Sequence, residues 1–223
     1  MLKSIAYSVA AGVIIASAAN AQSPGDLVDR AAAEHAKMRT ARVQFTQVIT
    51  NPLTGNRINA RGTVLRKAPG FLAITFTDPA GDRIIADGSH VWVYLPSTNP
   101  GQVLKMSPSG SEVERLDPAS QLLRSPRTRF NVADGGSATV GGRATRVVLL
   151  TPKGRESFSR AKVWIDTQNS LVRRFEVTEP SGLVRNVTLT SIQANVAVPA
   201  SAFRFTPPRG VRVIDQGQLG RGQ

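Results

Sequence analysis

Short runs in which apolar and polar residues alternate make up most of the chain from residue 39 onward, and each run ends at glycine, proline, asparagine or aspartate. A period of two places alternate side chains on one face, which is typical of a β-strand with one buried face. Asp87-Gly88 predicts a tight hairpin, and Pro180-Ser181-Gly182 predicts another turn. Because short connections force antiparallel neighbours, we expect a large twisted sheet or a partly closed barrel. The predicted strands are 39–50, 57–67, 71–77, 83–86, 90–95, 102–106, 128–132, 143–151, 160–166, 171–178, 183–193 and 202–205.

Two segments carry helix-start signals. At 23–26 a capping serine is followed by a proline and then an acid three residues after the cap, and helix-forming residues continue to Met38. The second helix begins at Asp117-Pro118, carries Leu122 and Leu123, and must end before Pro126. This helix is short and partly apolar, so it is well placed to cover a sheet.

The N-terminus has the features of an export signal. Lys3 supplies a positive charge, 5–18 is an apolar stretch too short to span a bilayer, and Ala19-Asn20-Ala21 is a small-x-small cleavage site. We expect cleavage between Ala21 and Gln22, followed by one domain over 22–223 whose last residues are disordered. The chain has no cysteine, which excludes disulfides, thiolate metal sites and a lipid anchor. These features predict a soluble periplasmic protein.

The formal net charge of +13 favours acidic partners. Export from the cytoplasm argues against nucleic acid as the binding partner. Anionic lipid headgroups or an acidic protein surface are partners that the periplasm can supply. The alternative is that the scattered arginines are ordinary surface residues of this organism.

Sequence motifs of common enzymes are missing, including the G-x-S-x-G elbow, the H-E-x-x-H pair, the P-loop and the G-x-G-x-x-G turn. His35 and His90 are expected to be structural or exposed. The acidic cluster of Glu112, Glu114 and Asp117 could serve glycoside hydrolysis, but Asp117 is better explained as a helix cap. We therefore predict a protein that is not an enzyme, and the presence of only two histidines excludes a multi-histidine metal centre.

The concave side of such a sheet could enclose a hollow. In the run 71–77, Leu72, Ile74 and Phe76 share one face, and the run 91–95 is apolar on both faces. Aromatic residues make up only 5% of the chain, which leaves few large side chains to fill a wide barrel. Ordinary core packing explains the same pattern, so both interpretations remain open.

Several stretches, in their order and spacing, resemble LolA, the family of periplasmic carriers of outer-membrane lipoproteins, over nearly the whole chain after the signal. The resemblance implies an incomplete antiparallel β-barrel of about eleven strands, mainly β, with short α-helices as a lid over a hydrophobic cavity. The matching stretches are Phe45-Thr46-Gln47, Gly62, Leu65-Arg66-Lys67, Pro69 to Phe71, Asp78-Pro79, 84–88, Val91-Trp92-Val93-Tyr94, Pro96 and 203–211.

The resemblance also implies a function. The protein would bind lipoprotein acyl chains, receive them from an inner-membrane ABC-type exporter, and deliver them to an outer-membrane lipoprotein receptor. We expect it to act as a monomer without catalysis or cofactor. The residues expected to line the acyl-chain cavity are Phe45, Leu65, Leu72, Ile74, Phe76, Ile85, Trp92, Tyr94, Leu122 and Leu123.

One position departs from the family pattern. Members often have an arginine before the proline equivalent to Pro69, where it holds the lid closed, and this chain has Ala68 there. Arg66 or Lys67 could replace that latch, although lysine lacks the planar fork of a guanidinium. A weaker latch would shift the lid towards its open state.

A second function class uses the same half-barrel. Periplasmic sensors of a related family detect mislocalised lipids or hold an anti-sigma factor, and they usually carry an additional C-terminal domain. The chain ends about twelve residues after Val211, which makes a sensor the less favoured expectation.

Overall fold

A computed structural model describes residues 23–107, 113 and 116–216. The expected signal peptide and its cleavage site lie outside these residues, as do Glu112, Glu114 and the last seven residues of the chain. None of the helices among the described residues is long and apolar enough to cross a membrane.

The chain forms one large sheet with a few short helices. The helices are α1 (Pro24–Lys37), α2 (Pro118–Leu123), α3 (Pro126–Arg129) and a 3-10 turn at Ala200–Phe203. The strands are β1 (Thr40–Thr50), β2 (Arg57–Lys67), β3 (Phe71–Asp78), β4 (Ala80–Asp87), β5 (Val91–Tyr94), β6 (Gln102–Met106), β7 (Phe130–Val140), β8 (Arg143–Pro152), β9 (Arg160–Asp166), β10 (Val172–Thr178), β11 (Val184–Ala194) and β12 (Arg212–Asp215).

Two antiparallel meanders meet at the centre of the sheet. Strands β1 to β6 form the first and β7 to β11 the second, and β1 pairs with both β2 and β11. The order is β12-β6-β5-β4-β3-β2-β1-β11-β10-β9-β8-β7, so that β12 and β7 are the two edges. The expected incomplete, mainly antiparallel barrel is confirmed.

Both predicted helices form, and each has the predicted cap. The Ser23 hydroxyl accepts a hydrogen bond from the Asp26 amide at 3.1 Å. The Asp117 carboxylate accepts from the amides of Ala119 at 3.1 Å and Ser120 at 3.3 Å. These bonds satisfy amides that have no partner within the helix, and so they fix where α1 and α2 begin.

The prediction of a strand at 202–205 is wrong. Ala200–Phe203 forms a 3-10 turn, and Phe203 packs onto β3 and β4 with 2% of its surface exposed. The last strand is β12, which pairs with β6 in parallel. The alternation of Phe203 and Phe205 is typical of a strand. In the structure their side chains instead pack on the face of the sheet opposite the helices.

The strand predicted at 128–132 is displaced and lengthened. Pro126 starts α3, so β7 begins only at Phe130 and continues to Val140. The register against β8 shifts between Asp134 and Ser137, where Gly136 adopts a φ of 87°. Gly135 and Gly136 therefore form a bulge inside a strand that was predicted to end at 132.

Asp166 is buried with 1% of its surface exposed, and two arginines hold it. Arg143 Nε donates at 2.8 Å and Arg173 Nε at 2.9 Å, and the Gln168 amide donates at 2.9 Å. Burial alone would raise the pKa of this carboxyl, but the hydrogen bonds from Arg143, Gln168 and Arg173 outweigh it and lower the pKa to about 2.

We expect Asp166→Asn to lower the free energy of unfolding by about 2–4 kcal/mol at pH 7, because it leaves two arginines facing an uncharged buried group. The folded-state pKa lies below the ordinary value of 3.8. The stabilisation is therefore fully present above about pH 4 and disappears as the pH falls towards 2. Urea unfolding at a series of pH values measures both effects. Asp134→Asn, at a half-exposed pair with Arg146, is the control, and an equal loss there would contradict the assignment.

Candidate functional site

A cavity with a volume of about 570 Å³ lies between the inner face of the sheet and the helices α1 and α2. Its walls are the inward-facing residues of strands from both meanders. Alternate residues of each strand face inward, so the cavity wall is apolar along most of its length. The lining side chains include Val43, Phe45, Val64, Ile74, Phe76, Phe158, Val172, Phe175, Val177, Val187, Leu189 and Ile192.

Gly62 on β2 lets two aromatic side chains of the cavity wall meet. It pairs with Phe45 on one side and with Phe76 on the other. The two rings contact each other edge to face, with centroids 5.7 Å apart and planes at 87°. A Cβ atom at position 62 would clash with the Thr75 carbonyl oxygen, so only glycine permits the backbones of β2 and β3 to lie this close together.

The helices close the cavity as a lid that shares the core of the sheet. Leu27, Val28 and Ala31 of α1 are buried in the same cluster as Phe45 and Phe175 of the strands. Leu122 and Leu123 of α2 belong to that cluster and also line the cavity, with 2% and 4% of their surface exposed. Opening the lid would therefore expose apolar surface on the helices and on the sheet.

Arg66 on β2 connects the sheet to both helices. Its Nη2 donates to the Met38 carbonyl oxygen at 2.7 Å and to the His35 carbonyl oxygen at 3.4 Å. Its Nη1 donates to the His35 ring, to Ser120 Oγ at 3.3 Å and to Asp117 Oδ2 at 3.5 Å. The neighbouring Lys67 is exposed. Of the two candidate residues for a latch, only Arg66 contacts both α1 and the start of α2.

His35 lies at the centre of this contact. Its Nε2 is 2.9 Å from Ser120 Oγ and 3.9 Å from Asp117 Oδ2, and it also accepts from Arg66. Burial lowers the pKa of His35, and Arg66 lowers it further, while Asp117 opposes both effects. A neutral ring fits this site because a protonated ring could not accept a hydrogen bond from the guanidinium.

We expect acidification to open the lid. The pKa of His35 is lowered in the closed state, so the open state binds the proton more readily and gains population as the pH falls below 6.5. Hydrogen exchange of the α2 amides, converted to an opening free energy at each pH, measures the effect. His35→Gln should remove the pH dependence, whereas His90→Gln, beside Trp92 on the other face, should preserve it. A pH-independent opening free energy in the unmodified protein would contradict the expectation.

The structure brings five of the ten expected cavity residues together at the cavity wall. These are Phe45, Ile74, Phe76, Leu122 and Leu123. Leu72 faces the same side of the sheet, but it packs with Ala86 and Val91 in a neighbouring cluster.

The other four expected residues lie on the opposite face of the sheet. Pairing across an antiparallel sheet keeps partners on one face, and Ala73, which faces outward, pairs with Leu65 and Ile85. Ile85 in turn pairs with Trp92, and Tyr94 is two residues further along the same strand. Phe205 covers Trp92 and Tyr94, with ring centroids 5.5 and 5.8 Å away. Their placement in the cavity is therefore corrected: they hold the C-terminal segment against the outer face.

The cavity wall also contains residues that the sequence analysis missed. Six of the apolar ones lie on β10 and β11, whose alternation was recognised but whose place in the sheet, with β11 between β1 and β10, was not. A polar group, made of Gln47, Glu179 and Arg185, lines one end of the cavity. No sequence motif indicated it, because these residues are far apart in the chain.

Comparison with known proteins gives consistent matches. The sequence model of a family described as outer membrane lipoprotein carrier protein LolA matches residues 36–206. An outer-membrane lipoprotein carrier protein of Dechloromonas aromatica is 27% identical over 80% of this chain and 82% of its own. One of Methylibium petroleiphilum is 26% identical over 86% of this chain and 90% of its own. The crystal structure of an uncharacterized conserved protein from Thermus thermophilus shares the fold, with a TM-score of 0.54, 13% identity, and coverage of 86% of this chain and 98% of the other.

Proposed function

Since the chain belongs to the LolA family of outer membrane lipoprotein carrier proteins, we propose that it binds the acyl chains of lipoproteins and carries them between membranes. The observation that supports this most directly is the apolar cavity of about 570 Å³ beneath two helices. In the proposed cycle, an inner-membrane ABC-type exporter loads the carrier and an outer-membrane receptor unloads it. Neither step makes or breaks a covalent bond in the cargo, so no catalytic residue is required in this chain.

The physical need for such a carrier follows from the cargo. Burial of each methylene contributes about 0.8 kcal/mol. The transfer of one sixteen-carbon chain from a membrane to water therefore costs roughly 10 kcal/mol of free energy. Spontaneous desorption of a lipoprotein with three such chains is correspondingly slow. A carrier must keep the chains covered, and it must also hold them less tightly than the final acceptor does.

The proposed location is the periplasm. Residues 1–21 would direct export and be removed between Ala21 and Gln22, leaving a single carrier domain from 22 to 223 that acts as a monomer. N-terminal sequencing of the protein isolated from the periplasmic fraction tests this processing.

Mass spectrometry of the protein purified from the periplasm without detergent tests the function. We expect acylated lipoprotein to co-purify with it at a substoichiometric level, and we expect the loaded protein to release this cargo to outer-membrane vesicles. Recovery of the protein with phospholipid alone would contradict the proposed cargo. Recovery with no lipid, combined with failure to take up a synthetic triacylated peptide, would overturn the proposed function.

A further inference from the structure

The middle of the cavity wall is apolar, the Arg66 contact lies at one end, and a second polar group lies at the other. Gln47 continues the inward-facing row of Val43 and Phe45 on β1. Arg185 ends the inward-facing row of β11 that contains Leu189 and Val187. Glu179 follows β10 directly and lines the same end. At about 3.4 Å per residue along β1, this end is about 20 Å from Ala41, which lies beside the Arg66 contact at the other end.

The hydrogen-bonding capacity of this group is largely unused within the described part of the chain. Arg185 Nη1 donates to Gln47 Oε1 at 3.2 Å, and its Nη2 is 3.8 Å from Glu179 Oε1, which is an ion pair without hydrogen-bond contact. A guanidinium has five N–H donors and a glutamine amide has two. Arg185 Nε and the Gln47 amide nitrogen therefore have donors available. The side chains of Arg185 and Glu179 are 38% and 33% exposed, so this end opens to solvent.

From this arrangement we infer that Arg185 and Gln47 form a subsite for the polar head of an acyl ligand whose hydrocarbon chain lies in the cavity. The inference rests on the proposed function and specifies which part of the cargo is recognised there. Glu179 balances the charge of Arg185, so the subsite has donors but little net charge. Neutral carbonyl oxygens, as in the ester and amide groups of an acylated cysteine, suit such a site better than a carboxylate does.

A matched pair of ligands isolates this contact. Monopalmitoylglycerol and hexadecylglycerol ether have the same chain length and glycerol head, but only the ester has a carbonyl oxygen. Displacement of a fluorescent fatty acid gives the affinity of each. We expect the unmodified protein to bind the ester about tenfold more tightly than the ether, a difference equivalent to 1.4 kcal/mol. Arg185→Met should reduce ester binding to the level of the ether and leave ether binding unchanged.

Two further variants complete the test. Arg42→Met, on the outer face of β1 and exposed, should change neither affinity. Gln47→Leu should weaken ester binding selectively, and it decides the question if circular dichroism shows that Arg185→Met fails to fold.

Palmitic acid is the third ligand. If Arg185→Met weakens the binding of palmitic acid alone, the site recognises carboxylates, and the inference is overturned. Equal affinities of ester and ether in all proteins would also overturn it while leaving the proposed function intact. Failure of the unmodified protein to bind any of the three ligands would instead refute the proposed function.

Discussion

Ile74→Glu is expected to abolish acyl-chain capture while leaving the fold intact. Ile74 is partly exposed at the cavity wall, so the carboxylate can be hydrated in the empty protein. A bound acyl chain would remove that water and bury an unpaired charge, which costs about 3 kcal/mol or more and weakens binding about a hundredfold or more. Titration with a fluorescent fatty acid measures the affinity, and circular dichroism with thermal unfolding reports on the fold.

Thr75→Glu is the matched control for this prediction. Thr75 is the next residue on β3, is exposed, and faces the opposite side of the sheet. The same charge placed there should leave binding unchanged. Phe76→Glu provides a second cavity variant, because Phe76 lines the same wall two residues further along. Full binding by folded Ile74→Glu and Phe76→Glu proteins would remove the cavity from the proposed mechanism.

In the proposed carrier function, the lid would limit how tightly cargo is held. Leu122 and Leu123 are almost fully buried in the core and also form part of the cavity wall, so a ligand that needs more room must displace them. Exposing one leucine side chain costs about 1.5–3 kcal/mol, whereas each methylene of cargo gains about 0.8 kcal/mol. The two terms partly cancel, which leaves a net affinity below that of a site open from the start. A moderate affinity is what onward delivery to an acceptor requires.

Local sequence signals were sufficient for most element boundaries. Strands 57–67, 102–106 and 160–166 were predicted at their observed limits. The caps Ser23 and Asp117 located both predicted helices. Alternation gave a wrong strand prediction at Phe203 and Phe205, because their spacing reflects packing of both rings on the outer face of the sheet. The end of β7 was also predicted wrongly, at 132, because the strand continues through a bulge at Gly135 and Gly136.

The cavity could be predicted only in part because it depends on which strands become neighbours. Pairing of β1 with β11 joins residues more than a hundred positions apart, and no local pattern encodes it. The run 91–95 is apolar on both faces because each face is covered, the inner one by a cluster that includes Leu72 and Met106 and the outer one by Phe205. Only the register with Ala73 and Ile85 shows that Trp92 and Tyr94 face outward. The register also distinguishes Arg66, which pairs with the inward-facing Leu72, from Lys67, which pairs with Phe71.

Arg66→Ala should open the lid of the empty protein. The Arg66 side chain is 18% exposed, and its guanidinium donates to Met38 and His35 at the end of α1 and to Ser120 and Asp117 at the start of α2. A hydrogen bond that involves a charged group contributes about 1.5–3 kcal/mol where it is shielded. Loss of even one such bond should raise the open population about tenfold or more. Hydrogen exchange of the α2 amides would therefore accelerate by that factor, while exchange in β8 and β9 would remain slow.

Two control variants, Lys67→Ala and Arg66→Lys, test whether the lid is held by the hydrogen bonds of Arg66 or by positive charge alone. Lys67 is the neighbouring residue, is exposed, and was the alternative candidate for the latch, so its removal should not change exchange in α2. Lysine at position 66 keeps the charge but cannot reach both helices with a planar fork, so exchange should lie between that of Arg66→Ala and the unmodified protein. We expect the rate of fatty-acid uptake to follow the same order, because an open lid widens the entrance to the cavity. If Arg66→Ala leaves exchange in α2 and the uptake rate unchanged, Arg66 does not restrain the lid, and the burial of Leu122 and Leu123 alone keeps it closed.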